Sequence, residues 1–123
     1  MEHMGLIDTG ADSVLASDLL ADQLEVDLDD HEGEATLGVG GRVVTVRYKT
    51  VGLRLYRTAQ DPIYRECQAQ VGFVANWQTF GLVLLGGVGF LDQFTVTASR
   101  FAQAVAVEDR DAFDERFGPI LIT

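Results

Sequence analysis

The residues best suited to chemistry stand close to the start of the sequence: Asp8-Thr9-Gly10-Ala11-Asp12, reached directly from the apolar pair Leu6-Ile7. The apolar run predicts a short strand over 4–7. A carboxylate at its end, two residues before a glycine, reads as an acid held out on a tight turn. One such carboxylate does little alone. Two brought together cannot both ionise, so one keeps a proton while the other is a base. The ionised member can take a proton from water and the protonated member can polarise a carbonyl oxygen. Titration then belongs to the pair.

The rest of the chain must position that turn. Its 123 residues, 47% hydrophobic and 9% aromatic, suffice for one domain with a real core and are too few for two of ordinary size. The formal charge of −10 repels phosphate backbones, so no nucleic-acid partner is expected. No apolar run approaches the length of a membrane span, and the start has neither a basic region nor an apolar signal core. Cys67 is the single cysteine, which rules out an intrachain disulfide and makes the reducing cytoplasm the expected setting. It alternates with polar residues in "RECQAQVGF" and reads as a small strand residue. "DLDDHEGE" at 27–34 gathers acids around His31, but the spacing matches no calcium or zinc pattern. It reads as a solvated loop, and neither metal nor cofactor is expected.

Frequent glycine, rare proline and β-branched segments predict an all-β, β-rich domain. A short helix is expected over 17–26, with Ser17 as its cap and Leu20 and Leu24 on one face. Residues 34–57 predict a β-hairpin whose tip carries Gly38, Gly40 and Gly41. That tip lacks the Lys-Ser/Thr of a phosphate loop, and a strand follows it. A strand is expected over 61–77 after the Asp61-Pro62 turn. A buried strand over 82–85, broken by Gly86-Gly87, should lead to a short turn or helix around 90–92. A hairpin over 94–108 and a charged, helix-prone tail ending in the apolar run Ile120–Ile122 complete the reading.

Three stretches in this order, "LIDTGAD", "LGVGGRV" and "LVLLGGVGFLDQF", resemble the retropepsin-like aspartic proteases, the single-domain relatives of retroviral proteases, and especially bacterial members. The resemblance covers about residues 5–98 of a single domain spanning 1–123, with 109–123 as a C-terminal extension. It implies an acid-protease single-lobe β-barrel with one or two short helices and a flap hairpin. It also implies an aspartic endopeptidase acting on polypeptides. The chain holds one Asp-Thr-Gly and no Asp-Ser-Gly, so it supplies half a site. A homodimer, or a higher or strand-swapped oligomer, would have to bring two Asp8 residues together on a two-fold axis.

By the same resemblance Asp8, Thr9 and Gly10 are the catalytic motif, with the Thr9 hydroxyl bonding across the axis. Ala11 and Asp12 would line the substrate channel, and Gly38, Val39, Gly40 and Gly41 would form a mobile flap that excludes water. Val14, Val39, Val74 and Leu84 are candidate apolar subsites. Trp77, with Phe73 and Phe80, reads as core or pocket wall. The alternative is a catalytically silent dimeric peptide-binding or structural module on the same fold.

Two departures stand out. Gly87 occupies the place where many relatives carry an arginine that pairs with the acid equivalent to Asp12, leaving Arg42 or Arg47 as candidate substitutes. Seven residues precede Asp8, fewer than in relatives. A fragment or mis-called start, a C-terminal "GPILIT" strand filling the gap, and a relative that does not cleave are the open explanations. An uncovered strand edge would be an aggregation hazard.

Overall fold

A computed structural model describes residues 3–58, 60–78 and 81–118. The elements in order are β1 (Met4–Ile7), β2 (Val14–Ser17), α1 (Asp18–Gln23), β3 (Gly33–Val39), β4 (Arg42–Leu55), β5 (Arg65–Val74), β6 (Leu82–Leu85), β7 (Phe94–Ser99), β8 (Ala104–Asp109) and α2 (Arg110–Phe117). Among the described residues the molecule is β-rich with two helices, as the sequence predicts for the class.

Six strands form one sheet in the order β1-β6-β2-β5-β4-β3, and β7 and β8 form a separate hairpin. β1 runs parallel to β6, and β2 parallel to β5. The expected barrel is not closed. Among the described residues β1 pairs with β6 alone and β3 with β4 alone, so both are edges of an open sheet. Closure needs the edge strands to meet in a consistent stagger. Here β1, β2 and β6 are four residues each, a single residue pair (Leu15 with Leu84) joins β2 to β6, and among the described strands β7 and β8 pair only with each other.

Alternation along the strands divides the apolar residues between the two faces. Val14, Ala16, Val71, Phe73 and Leu85 pack with Ala21, Phe90 and Phe94 into the larger core. Phe90 is fully buried and its ring lies 5.2 Å from that of Phe94. Leu15, Val46 and Val74 form the second cluster, against which Leu37, Val44, Tyr48, Trp77 and Leu84 pack.

Local chemistry sets the element ends. Ser17 Oγ accepts from the Leu19 amide at 3.2 Å and caps α1. The helix is six residues long, shorter than the expected 17–26. Glu25 adopts a left-handed φ of 57°, and the Val26 amide returns to the Ala21 carbonyl at 2.9 Å. β5 starts at Arg65, because Asp61-Pro62 turns the chain and the Tyr64 amide reaches the Leu55 carbonyl at 2.8 Å. Residues 90–92 form a turn, and the second hairpin runs one residue past expectation to Asp109. The Asp109 carboxylate then caps α2 through the Ala112 amide at 2.8 Å. Of the predicted tail, Ile120–Ile122 lie outside the described residues, as does Phe80. No helix among the described residues is long and apolar enough to cross a membrane.

Candidate functional site

The acidic turn is built by one strand and held by another. β1 delivers Asp8, whose amide donates to the Leu85 carbonyl at 3.1 Å, extending the β1–β6 ladder by one bond. The chain then turns on itself. The Gly10 amide donates to Asp8 Oδ1 at 2.9 Å, and the Ala11 amide donates to the Asp8 carbonyl at 3.2 Å. An aspartate that bonds the amide two residues on makes such a turn by itself. Oδ2 has no hydrogen-bond partner among the described residues. Asp8 is half-buried, and Thr9, Gly10 and Asp12 are exposed.

The segment after β6 clamps this loop. The Gly87 and Val88 amides donate to the carbonyls of Ala11 and Asp12 at 2.9 and 2.8 Å, and the Val14 amide donates to the Val88 carbonyl at 3.0 Å. Ser13 and Val88 form a parallel bridge. Contact is so close that a Cβ on Gly86 would stand 2.3 Å from the Ser13 carbonyl oxygen and 2.5 Å from that of Ala11. The Leu91 and Asp92 amides, donating to the Gly86 and Gly87 carbonyls at 3.0 Å each, fix the clamp from behind. The sequence resemblance expects the "LVLLGGVGFLDQF" strand to cross behind this loop, but it did not single out Gly86 and Val88 as the residues in contact. The local signal for those contacts was the Gly-Gly doublet after an apolar run.

The Gly-tipped hairpin forms as expected. Val39 pairs with Arg42 across Gly40 and Gly41, whose φ values are 58° and 78°. Positive φ at both central residues is the tight two-residue turn that matches strand twist. The β4–β5 register ends at Val46–Val74, with one further bond from the Ala75 amide to the Thr45 carbonyl at 3.0 Å. Residues 38–43 therefore project past the sheet as a free two-stranded arm. Within one chain the arm and the Asp8 loop are not brought together, since among the described elements β1 contacts β6 alone and three strands separate it from β4.

Between them lies one face of the sheet. Leu6 pairs with Leu84, Leu84 with Leu15, and Leu15 with Gly72, so these residues share a row. Leu6 is 50% exposed and Leu84 half-buried, while Leu15 is covered by the second cluster. Asp8, two residues beyond Leu6, follows on from the same face.

Other candidate residues fare differently. Val14 and Val74 are fully buried in the two clusters and cannot line an open subsite. Leu84 remains available. For Val39 only the backbone is described. Phe73 is core, whereas Trp77 is half-buried and lines a groove of about 280 Å³ with Leu19, Leu20 and Leu82. Arg47 lies 3.8 and 3.9 Å from Asp29 and Glu34, so it does not replace the base missing at Gly87. Arg42 and Asp12 make no ion pair among the described residues. His31 Nε2 lies 3.5 Å from Glu34, and no group of three potential metal ligands occurs among the described residues. Cys67 stands in β5 opposite Leu53, where burial pushes its thiol above the usual range.

A scan against protein-family models finds no matching family, and searches of curated proteins and of solved structures find no matching relative.

Proposed function

We propose that this chain is one subunit of a homodimeric aspartic endopeptidase of the retropepsin type, in which Asp8 from each of two subunits forms the water-activating dyad. The observation that carries the reading is the Asp8 turn itself. A carboxylate at a strand end is bonded to the Gly10 amide through one oxygen, and the backbone of its loop is clamped by Gly86, Gly87 and Val88, just after β6. A rigid turn of this kind holds a carboxylate where a symmetric partner can share its proton, as dyad catalysis requires. Exposed Leu6 and half-buried Leu84 supply the accessible end of an apolar row as a floor for an extended peptide, and the projecting β3–β4 arm supplies a cover that can exclude water. On this reading Thr9 steadies the paired loops, Ala11 and Asp12 border the peptide, and Gly40-Gly41 turns the cover over it.

The test is incubation with a mixed peptide library between about pH 3 and pH 8, with wild type, Asp8→Asn, and wild type plus a statine-type inhibitor. Cleavage should fall at least about a thousandfold in the variant, as expected when a unit of the catalytic group is removed. The inhibitor should suppress it likewise. Cleavage that survives Asp8→Asn, or its absence throughout, defeats the proposal and favours a peptide-binding module.

A further inference from the structure

The segment that leads into β3 grips β4 from both of its faces. Alternation puts Arg47 and Lys49 on the face of β4 that carries Val51 to the larger core, and Thr50 on the face that carries Val46 and Tyr48 to the second cluster. On the first face the Lys49 ammonium donates to the Asp30 carbonyl and to Asp30 Oδ2, the latter at 3.2 Å. Arg47 reaches toward Asp29 and Glu34 on that side. On the other face Glu32 accepts from the Thr50 amide and hydroxyl at 2.6 Å each, and from Gln70 of β5. Between the two grips the Glu32 amide donates to the Tyr48 carbonyl at 2.7 Å. The carboxylates of Asp29, Asp30, Glu32 and Glu34 thus close a clasp over residues 47–50.

The clasp stands where the arm takes hold. Among the described strands β3 pairs with β4 alone, and the clasp is its tie at the end away from the Gly40-Gly41 tip. Solution protons reach it directly, since the side chains of Asp29 and Asp30 are 95% and 85% exposed. Arginine and lysine stay charged in acid, so the carboxylates are the groups that switch. Two neighbours complete the set. His31 Nε2 lies 3.5 Å from Glu34, and a proton on His31 strengthens that contact, so it opposes release. Asp27 Oδ1 accepts from the Asp29 amide at 3.0 Å, and its protonation loosens the loop further.

We propose that this clasp is an acid-operated latch on the β3–β4 arm: protonation of Asp29, Asp30, Glu32 and Glu34 frees the root of β3 from β4 and lets the arm swing, while neutral pH holds it down. The latch rests on the proposed protease reading for its use, which is to open the cover to a peptide in acid. The clasp itself is independent of catalysis. Acid also lowers the net charge of −10 and so relieves self-repulsion across the whole molecule. That effect tightens the fold. A loosening confined to β3 therefore has the opposite sign from the global response.

Amide hydrogen exchange, corrected for the intrinsic rate at each pH, tests it from about pH 7 to about pH 3.5. The proteins are wild type, the double variant Asp30→Asn/Glu32→Gln, and Lys49→Gln. Each exposed contact is weak, so about a tenfold loss of β3 protection in acid is expected of the set. β5 and the β7–β8 hairpin should keep theirs. The double variant should start about fivefold less protected in β3 at neutral pH and lose little more in acid. Lys49→Gln removes the cationic side of the clasp and should also lower β3 protection at neutral pH. Constant β3 protection in wild type, a loss shared equally by β5 and β7–β8, a double variant that still loses tenfold, or Lys49→Gln exchanging like wild type overturns the proposal. Peptide cleavage separates it from the protease reading. A latch that opens in acid on a chain that cuts nothing leaves the latch standing and the protease reading refuted. A chain that cuts peptides while β3 protection ignores pH does the reverse.

Discussion

Two glycine-rich segments of this molecule use the same residue for opposite purposes. Gly86 sits where a Cβ would lie 2.3 Å from a backbone oxygen, while Gly38, Gly40 and Gly41 have nothing within 4 Å of the equivalent position. The first segment is glycine because another backbone must pass through the space of a side chain. The second is glycine because the chain must reverse within two residues, with φ of 58° and 78°. One builds a rigid clamp and the other a free arm. A proposed dyad site needs both, a carboxylate that cannot wander and a cover that can.

The sharpest way to break this contrast is to add a methyl group to each segment. Gly86→Ala must displace the carbonyls of Ala11 and Ser13, and with them the loop that carries Asp8. Overpacking against backbone has no flexible side chain to yield. A loss of about 4 kcal/mol or more, or failure to fold, is expected in urea titrations. Gly38→Ala meets open space and has no positive φ, so its change should stay within about 1 kcal/mol. Equal effects at the two positions would remove the distinction.

An intermediate effect is expected at the tip of the arm. Gly41→Ala meets no atom, but its φ of 78° disfavours any side chain with a Cβ. The cost should be about 1–2 kcal/mol, visible as a lower melting temperature. Gly41→Asn should cost less, because asparagine tolerates the left-handed region. If the arm is a cover, these two variants should also alter kcat and KM together while leaving the Asp8 turn intact.

The contrast also explains what could be read in advance. The Asp8 turn was legible because its causes are local: an apolar strand, an aspartate that bonds the amide two residues on, and a glycine. The β3–β4 hairpin was legible for the same reason, since Gly40-Gly41 and the flanking alternation fix its register. β2 was not singled out, because Val14-Leu15-Ala16-Ser17 is a short apolar run next to a helix cap, and only its partners in β5 and β6 make it a strand. Barrel closure was misjudged because it depends on edges far apart in sequence. The helix was drawn too long because Leu24 keeps the apolar spacing while Glu25, at φ 57°, has already left it. Val14 and Val74 look like any apolar residue near a motif, and their full burial is a property of two packed faces.

The smallest expected effect lies at the root of the arm, where it is tied to the sheet. Glu32, just before β3, accepts from the Thr50 amide and hydroxyl of β4 at 2.6 Å each and from Gln70 of β5 at 3.4 Å. The Thr50 side-chain bond, then its backbone bond, holds the Glu32 carboxyl below its ordinary value of 4.5. A carboxyl with a lower pKa in the folded chain binds fewer protons there than in the unfolded chain. Stability therefore rises with pH through that window. The contribution is fully present above 4.5 and is lost as pH falls through the lower folded value. Glu32→Gln should be less stable than wild type at neutral pH, and the gap should close as the solution is acidified. Urea midpoints for both proteins from neutral to strongly acid pH measure it. Because the group is exposed, the gap should be small and should shrink further in salt. A gap constant with pH would mean that Glu32 ties the arm down by shape rather than by charge. The anchored root and the free tip would then no longer differ in their electrostatics.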